Sequence, residues 1–166
     1  MNLTTSLEEK ADFLRNQYVP LLRTIHPSQP PMFGKLSAQG AVEHMADSLR
    51  MANGRDLYDC DATPEHIEKM HAFIRSDKPF REGTNNPLMS EMPAALRHAS
   101  MDEAISDLAW ELEGFFDLFA QDRTKLVTNP IFGDLDYELW VLLLYRHAWH
   151  HLKQFGAMQA ETAGSN

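Results

Sequence analysis

Apolar positions recur every three or four residues over four long stretches of this chain, and a helix is expected at each. The first covers about residues 6–22. Ser6-Leu7-Glu8-Glu9 forms a capping box, and Leu7, Phe13/Leu14, Tyr18 and Leu21/Leu22 follow at helical spacing. Pro27, Pro30 and Pro31 then break the pattern. The second stretch opens near Ser37 and closes near Asn53-Gly54, where glycine supplies a stop. The third begins at Ser100, where Ser100-Met101-Asp102-Glu103 reads as another capping box. Its core stripe is Ile105, Leu108, Leu112, Phe115/Phe116 and Phe119. The fourth runs from Asp136 to about Phe155, with Gly156 as its end.

Between the second and third stretches, Thr63-Pro64-Glu65 reads as an N-cap with proline at the first helical position, opening a short helix to about Arg75. Residues 77–99 hold Pro79, Pro87, Pro93 and Gly83-Thr84-Asn85-Asn86, with no steady period. So long a connection often lines a site. Phe80, Arg81 and Met89 make it the candidate substrate lid, a solvated surface loop being the plainer reading. No segment alternates with period two for long enough to predict a strand. Four long helices with one long connection between helices two and three predict an all-α, four-helix-bundle domain over residues 1–166. One internal echo pairs helices two and four. Pro31-Met32-Phe33-Gly34-Lys35-Leu36 precedes one and Pro130-Ile131-Phe132-Gly133-Asp134-Leu135 the other, each a turn feeding a helix capped by Ser37 or Asp136.

Composition narrows the class without naming a chemistry. The 166 residues are 43% apolar and 23% charged, enough to fill one core. A formal charge of −9 with no basic stripe argues against nucleic acid as a partner. The single cysteine, Cys60, excludes a disulfide framework and any multi-cysteine metal site. It lies between Asp59 and Asp61, which disfavour a thiolate nucleophile. The first residues lack a basic and then apolar leader, and the longest purely apolar run, 139–144, is far too short to span a membrane. A cytoplasmic protein is expected.

The chemistry concentrates in Arg146-His147-Ala148-Trp149-His150-His151-Leu152-Lys153-Gln154-Phe155-Gly156. His147 and His151 are four residues apart and share a helix face, on the stripe Trp140, Leu144, His147, His151, Phe155 that otherwise reads as core. Two imidazoles directed into an apolar core need partners, and a divalent transition ion is one. A third ligand must come from elsewhere. Of the other histidines, only His44 lies in a long helix able to face the fourth. At 1.5 Å per residue, His44 is about 10 Å from the start of its helix, and the midpoint of His147 and His151 is about 9 Å from the end of theirs. Antiparallel helices with aligned ends therefore bring the three rings to one level, whereas a parallel pair misplaces them by roughly 8 Å. Ala41 and Ser48, beside His44, are small enough for close approach. Satisfied core histidines are the competing reading. His150 is off the stripe, Trp140 and Trp149 read as packing residues, and Gln154 either faces the site or caps a carbonyl.

Other metal chemistries do not fit. Ala148 stands where a zinc peptidase needs glutamate. Glu68-Lys69-Met70-His71 is a lone Glu-x-x-His where a di-iron bundle needs two. Nucleotide-binding and serine-hydrolase motifs do not occur.

The helix-two histidine, the His147-x-x-x-His151-x-x-Gln154 pattern and the paired Phe-Gly-x-Leu turns resemble the DinB/YfiT-like metalloenzyme superfamily, and within it the DUF1569 branch. The resemblance covers about residues 25–158, with no matching motif over 53–99. It implies an up-down-down-up bundle with helix two antiparallel to helix four, and frequent homodimers. It also implies a nickel or zinc ion on His44, His147 and His151 with open positions for water or substrate. Some relatives are transferases or isomerases that use a low-molecular-weight thiol. A thiol-dependent S-transferase is one expectation, a metal-dependent hydrolase a second, and a non-catalytic helical dimer a third.

Overall fold

The computed structural model describes residues 5–76, 78–82 and 93–158. The described chain is mainly helical. Helix α1 has three consecutive parts, Leu7–Asp12, a π-helical turn Phe13–Gln17, and Tyr18–Leu22. It is followed by α2 (Ala38–Ala52), α3 (Pro64–Arg75), α4 (Met101–Gln121) and α5 (Tyr137–Gln154). A hairpin of β1 (Val127–Asn129) and β2 (Gly133–Leu135) precedes α5. Among the described residues, no helix is long and apolar enough to cross a membrane.

The helix boundaries follow from the capping chemistry. Ser6, Ser37, Thr63, Ser100 and Asp136 each accept a backbone N–H of the first turn through a side-chain oxygen. The box at Ser6 is complete, with Glu9 reaching back to the Ser6 N–H at 2.6 Å. At Ser100 it is displaced by one residue: the Glu103 carboxylate takes the Ala99 N–H at 3.1 Å instead. Helix α5 ends in a Schellman motif. Gly156 has φ +72°, its N–H donates to Lys153 O at 3.1 Å, and Ala157 N–H donates to Leu152 O at 2.9 Å.

Two features depart from the periodicity. The π turn of α1 ends three residues before Pro20, which has no N–H to return to the preceding turn. There Tyr18 N–H bonds back five residues, to Phe13 O. The expectation of no strand is also corrected. Val127 pairs with Leu135, Thr128 with Asp134 and Asn129 with Gly133, antiparallel. Three residues per strand give alternation too little length to register. What turns the chain is Asn129, whose side-chain oxygen accepts Ile131 and Phe132 N–H at 2.8 and 3.0 Å. Trp140 ties α5 to this hairpin by donating its indole N–H to Val127 O at 3.1 Å, and it is wholly buried.

One hydrophobic core joins the long helices: Leu14 and Tyr18 from α1, Met45 and Leu49 from α2, Leu108, Phe115 and Phe119 from α4, and Trp140 and Leu144 from α5. Helix α2 packs most extensively on α4, while α5 touches α1, α2 and α3. A buried carboxylate fixes the α2–α4 pair. Glu111 accepts from Asn53 Nδ2 at 2.6 Å and lies 3.0 Å from Arg55 Nε, so its charge is compensated.

The two Phe-Gly turns share their chemistry and differ in form. Gly34 and Gly133 both have φ +74°. In both, the phenylalanine carbonyl is held by a side chain from a distant helix: Phe33 O by Gln154 Nε2 at 2.9 Å, Phe132 O by His71 Nε2 at 2.9 Å. Only the second turn belongs to a hairpin.

Candidate metal centre

Contacts between α2 and α5 descend along one helix as they climb the other. Phe33, just before α2, meets Gln154; His44 meets His151 and His147; Ser48 meets His147. That order brings the three histidines to one level. His147 Nε2 is 3.0 Å from His151 Nε2 and 3.1 Å from His44 Nε2, and all three ring nitrogens lie within 4.8 Å of one another. With metal–nitrogen bonds of about 2.0–2.1 Å, two nitrogens on one ion stand about 2.9 Å apart at a right angle and about 3.4 Å apart at a tetrahedral one. The two separations from His147 fall between those limits, while the span of up to 4.8 Å across all three exceeds the about 4.2 Å that two such bonds reach, so one ion draws the outer rings together.

The outer hydrogen bonds decide which ring nitrogens carry protons. A carbonyl oxygen only accepts, so the amide nitrogen of Gln154 must face Phe33 O, and its oxygen must face His151. That oxygen is 2.8 Å from His151 Nδ1. His151 Nδ1 therefore carries the proton, and its Nε2 presents a bare lone pair to the cluster. Ser48 acts similarly at longer range. Its hydroxyl lies 3.3 Å from His44 O and 3.4 Å from His147 Nδ1; donating to the carbonyl, it leaves its oxygen free to accept from His147 Nδ1–H, the tautomer in which His147 Nε2 is bare. Gln154 faces the site and holds a carbonyl at the same time.

Electrostatics favour the neutral rings. Burial pushes His151 down to about 3; His44 adds to this and the Gln154 hydrogen bond opposes it. Burial holds His147 well below the usual imidazole range, with His151, His44 and His150 reinforcing it. Burial also lowers His44, against the opposing pull of Asp47. Neutral imidazoles, each with one bare ring nitrogen, are the form that binds a metal.

The remaining motif residues sort by position. His150 stays outside the cluster. Its ring lies 5.1 Å from Phe33 and 6.0 Å from Phe80, and burial lowers it, opposed by Glu82. Trp149 packs on Phe13 and Tyr145 at 6.1 and 6.2 Å between ring centres. His71 serves the Phe132 turn. Phe80 from the 77–99 excursion lies over the cluster, its ring edge-on to His147 at 5.9 Å. Met89, the other apolar residue of the expected lid, lies outside the described residues.

Two functional neighbours escaped the sequence reading. Arg146, immediately before His147, is buried and donates to Phe73 O at 3.0 Å, to Ile74 O at 2.8 Å and to Ser76 O, closing the C-terminal end of α3. Glu43, immediately before His44, is buried and accepts the Arg97 N–H at 3.0 Å and the His98 N–H at 2.9 Å. Burial pushes the Glu43 carboxyl up, but those N–H donors, Gln39 and the Arg97 guanidinium outweigh it and the net direction is down. A charged residue next to a histidine reads as a solvated position unless its partners, more than fifty residues away, are known.

Compared with known protein families, characterised proteins and solved structures, the chain matches none.

Proposed function

We propose that His44, His147 and His151 hold one divalent transition ion, nickel or zinc, and that the protein is a metal-dependent enzyme of the DinB/YfiT-like kind. In this reading α1, α2, α4 and α5 form the up-down-down-up bundle, with α3 and the hairpin as additions, and the chain works as a homodimer. One observation carries the proposal. The Nε2 atoms of His147 and His151 face each other at 3.0 Å with that of a third histidine 3.1 Å away, and Gln154 turns the bare nitrogen of His151 inward. With both inner nitrogens bare they repel, and burial opposes an extra proton between them. A cation bound by all three relieves the repulsion.

Such an ion, with positions open beyond the three histidines, supplies acidification of a thiol or water held beside it. The chain's part is to keep the imidazoles neutral, orient them through Gln154 and Ser48, and cover them with Phe33, Phe80 and His150. Thiol-dependent transfer is the preferred reaction because of the resemblance in the His147–Gln154 pattern. The test is a thiol-consumption screen of zinc- or nickel-loaded protein against a panel of electrophiles, with His44→Ala beside it. Thiol loss that disappears in the variant supports a transferase. Electrophile hydrolysis without thiol loss supports a hydrolase. Neither reaction, with metal bound, supports a non-catalytic helical dimer.

A further inference from the structure

Two of the three candidate ligands are held at their outer nitrogens and the third is not. His151 Nδ1 meets Gln154, and His147 Nδ1 meets Ser48. Nδ1 of His44 has no hydrogen bond among the described residues, so the backbone that carries this ring places it. That backbone is clasped by a segment distant in sequence. Glu43, one residue before His44, is buried, and its carboxylate accepts the Arg97 N–H at 3.0 Å, the His98 N–H at 2.9 Å and the Gln39 amide at 3.3 Å. The Arg97 guanidinium reaches Glu43 O at 3.4 Å and the two carboxylate oxygens of Asp47 at 3.0 and 3.1 Å. One arginine from outside α2 thus spans residues 43–47 and holds both ends of that turn. Its own footing is fixed by the next residue. His98 O accepts from Gln39 at 2.8 Å, and the His98 ring lies 3.1 Å from Asp107 of α4.

We propose that Glu43 and Arg97 are positioning residues for the metal centre: through the turn 43–47 they set where His44 stands relative to His147 and His151. The inference rests on the proposed centre and adds to it what fixes the third ligand. A buried carboxylate on two backbone N–H groups is a charge-assisted, directional attachment. The Arg97–Asp47 pair is about half exposed and adds less. A second tie between α2 and α4 lies elsewhere. Asn53 Nδ2 donates to the buried Glu111 carboxylate at 2.6 Å, roughly 14 Å of helix beyond His44. Loss of that tie loosens the helix pair without touching the turn that carries the ligand.

The experiment measures zinc affinity by chelator competition and metal-free stability by urea unfolding for wild type, Glu43→Ala, Arg97→Ala and Asn53→Ala. The first two substitutions are repeated in the His44→Ala background. Glu43→Ala is expected to weaken zinc binding on the order of tenfold, and Arg97→Ala about threefold. Neither should weaken it further once His44 is gone, because both act through that ring. Asn53→Ala should lower the urea midpoint and keep zinc affinity within about twofold of wild type. Arg97→Ala retains its backbone bond to Glu43 and carries the test if Glu43→Ala does not fold. Unchanged affinity in either variant that folds, a loss that persists without His44, or an equal loss in Asn53→Ala overturns the positioning role while the metal centre stands. Failure of wild type to bind zinc overturns the centre, and the positioning role with it.

Discussion

The Gln154 carboxamide joins two things that are far apart in sequence: its oxygen is 2.8 Å from Nδ1 of His151, and its nitrogen is 2.9 Å from the carbonyl of Phe33. The turn before α2 thereby sets the tautomer of a ring on α5. Gln154→Leu removes the acceptor for His151 Nδ1–H and strands the Phe33 carbonyl. Zinc affinity, read by competition with a chromogenic chelator, is expected to fall about 10–100-fold. Gln154→Glu keeps an acceptor for the ring and should recover much of that loss. Equal affinity in Gln154→Leu and wild type would falsify the coupling.

The same linkage predicts a contrast between two glycines. Gly34 and Gly54 both have φ +74°, but a Cβ on Gly34 would stand 3.0 Å from Gln154 Nε2, while one on Gly54 meets nothing within 4 Å. Gly54→Ala should cost only the left-handed backbone penalty, about 1–2 kcal/mol, with metal affinity unchanged. Gly34→Ala should cost at least as much and also weaken zinc binding. Urea unfolding and zinc titration on the two variants test the contrast, which fails if their affinities are the same.

Buried neutral histidines make metal-free stability depend on pH. The unfolded chain binds protons near pH 6.5, while burial keeps His147 and His44 below that value and His151 down at about 3. Between those limits the unfolded state carries more protons, so stability is fully present above pH 6.5 and is lost as pH falls. Each such histidine contributes up to about 1.4 kcal/mol per pH unit. The urea midpoint of metal-free protein should fall between pH 7 and 5, above the range where Glu43 and other carboxylates titrate. The fall should be shallower in His151→Gln. A midpoint level across that range would mean that the rings are not held neutral.

Arg146 is expected to matter for the C-terminal end of α3 more than for the metal. Arg146→Leu gives up hydrogen bonds from a charged group to three carbonyls, each interaction of that kind being worth about 1.5–3 kcal/mol. Hydrogen exchange over the last turn of α3, residues 72–76, should accelerate before exchange in α4 does. Uniform acceleration throughout the chain would instead assign Arg146 to global stability.

Caps, stops and core stripes were legible because each is written within a few residues. Thr63-Pro64 opens α3, and Ser37 and Gly54 bound α2, as their chemistry demands. The level of His44 against His147 and His151 was legible too, because helical rise converts sequence position into depth. The hairpin was not, since three-residue strands carry no period and its turn is made by one Asn129 side chain. Nor were the roles of Arg146 and Glu43. Both bind backbone groups of segments distant in sequence, and backbone partners leave no signature in residue type. Gln154 fell between these cases: its place one turn beyond His151 was visible, but its hold on Phe33 O was not.

The central claim is that three histidines hold one ion. Untagged protein reconstituted with zinc or nickel and freed of excess metal should carry about one equivalent by mass spectrometric metal analysis, and His44→Ala, prepared alongside, should retain almost none. Less than about 0.1 equivalent in the wild type, or equal loading of the two proteins, contradicts it.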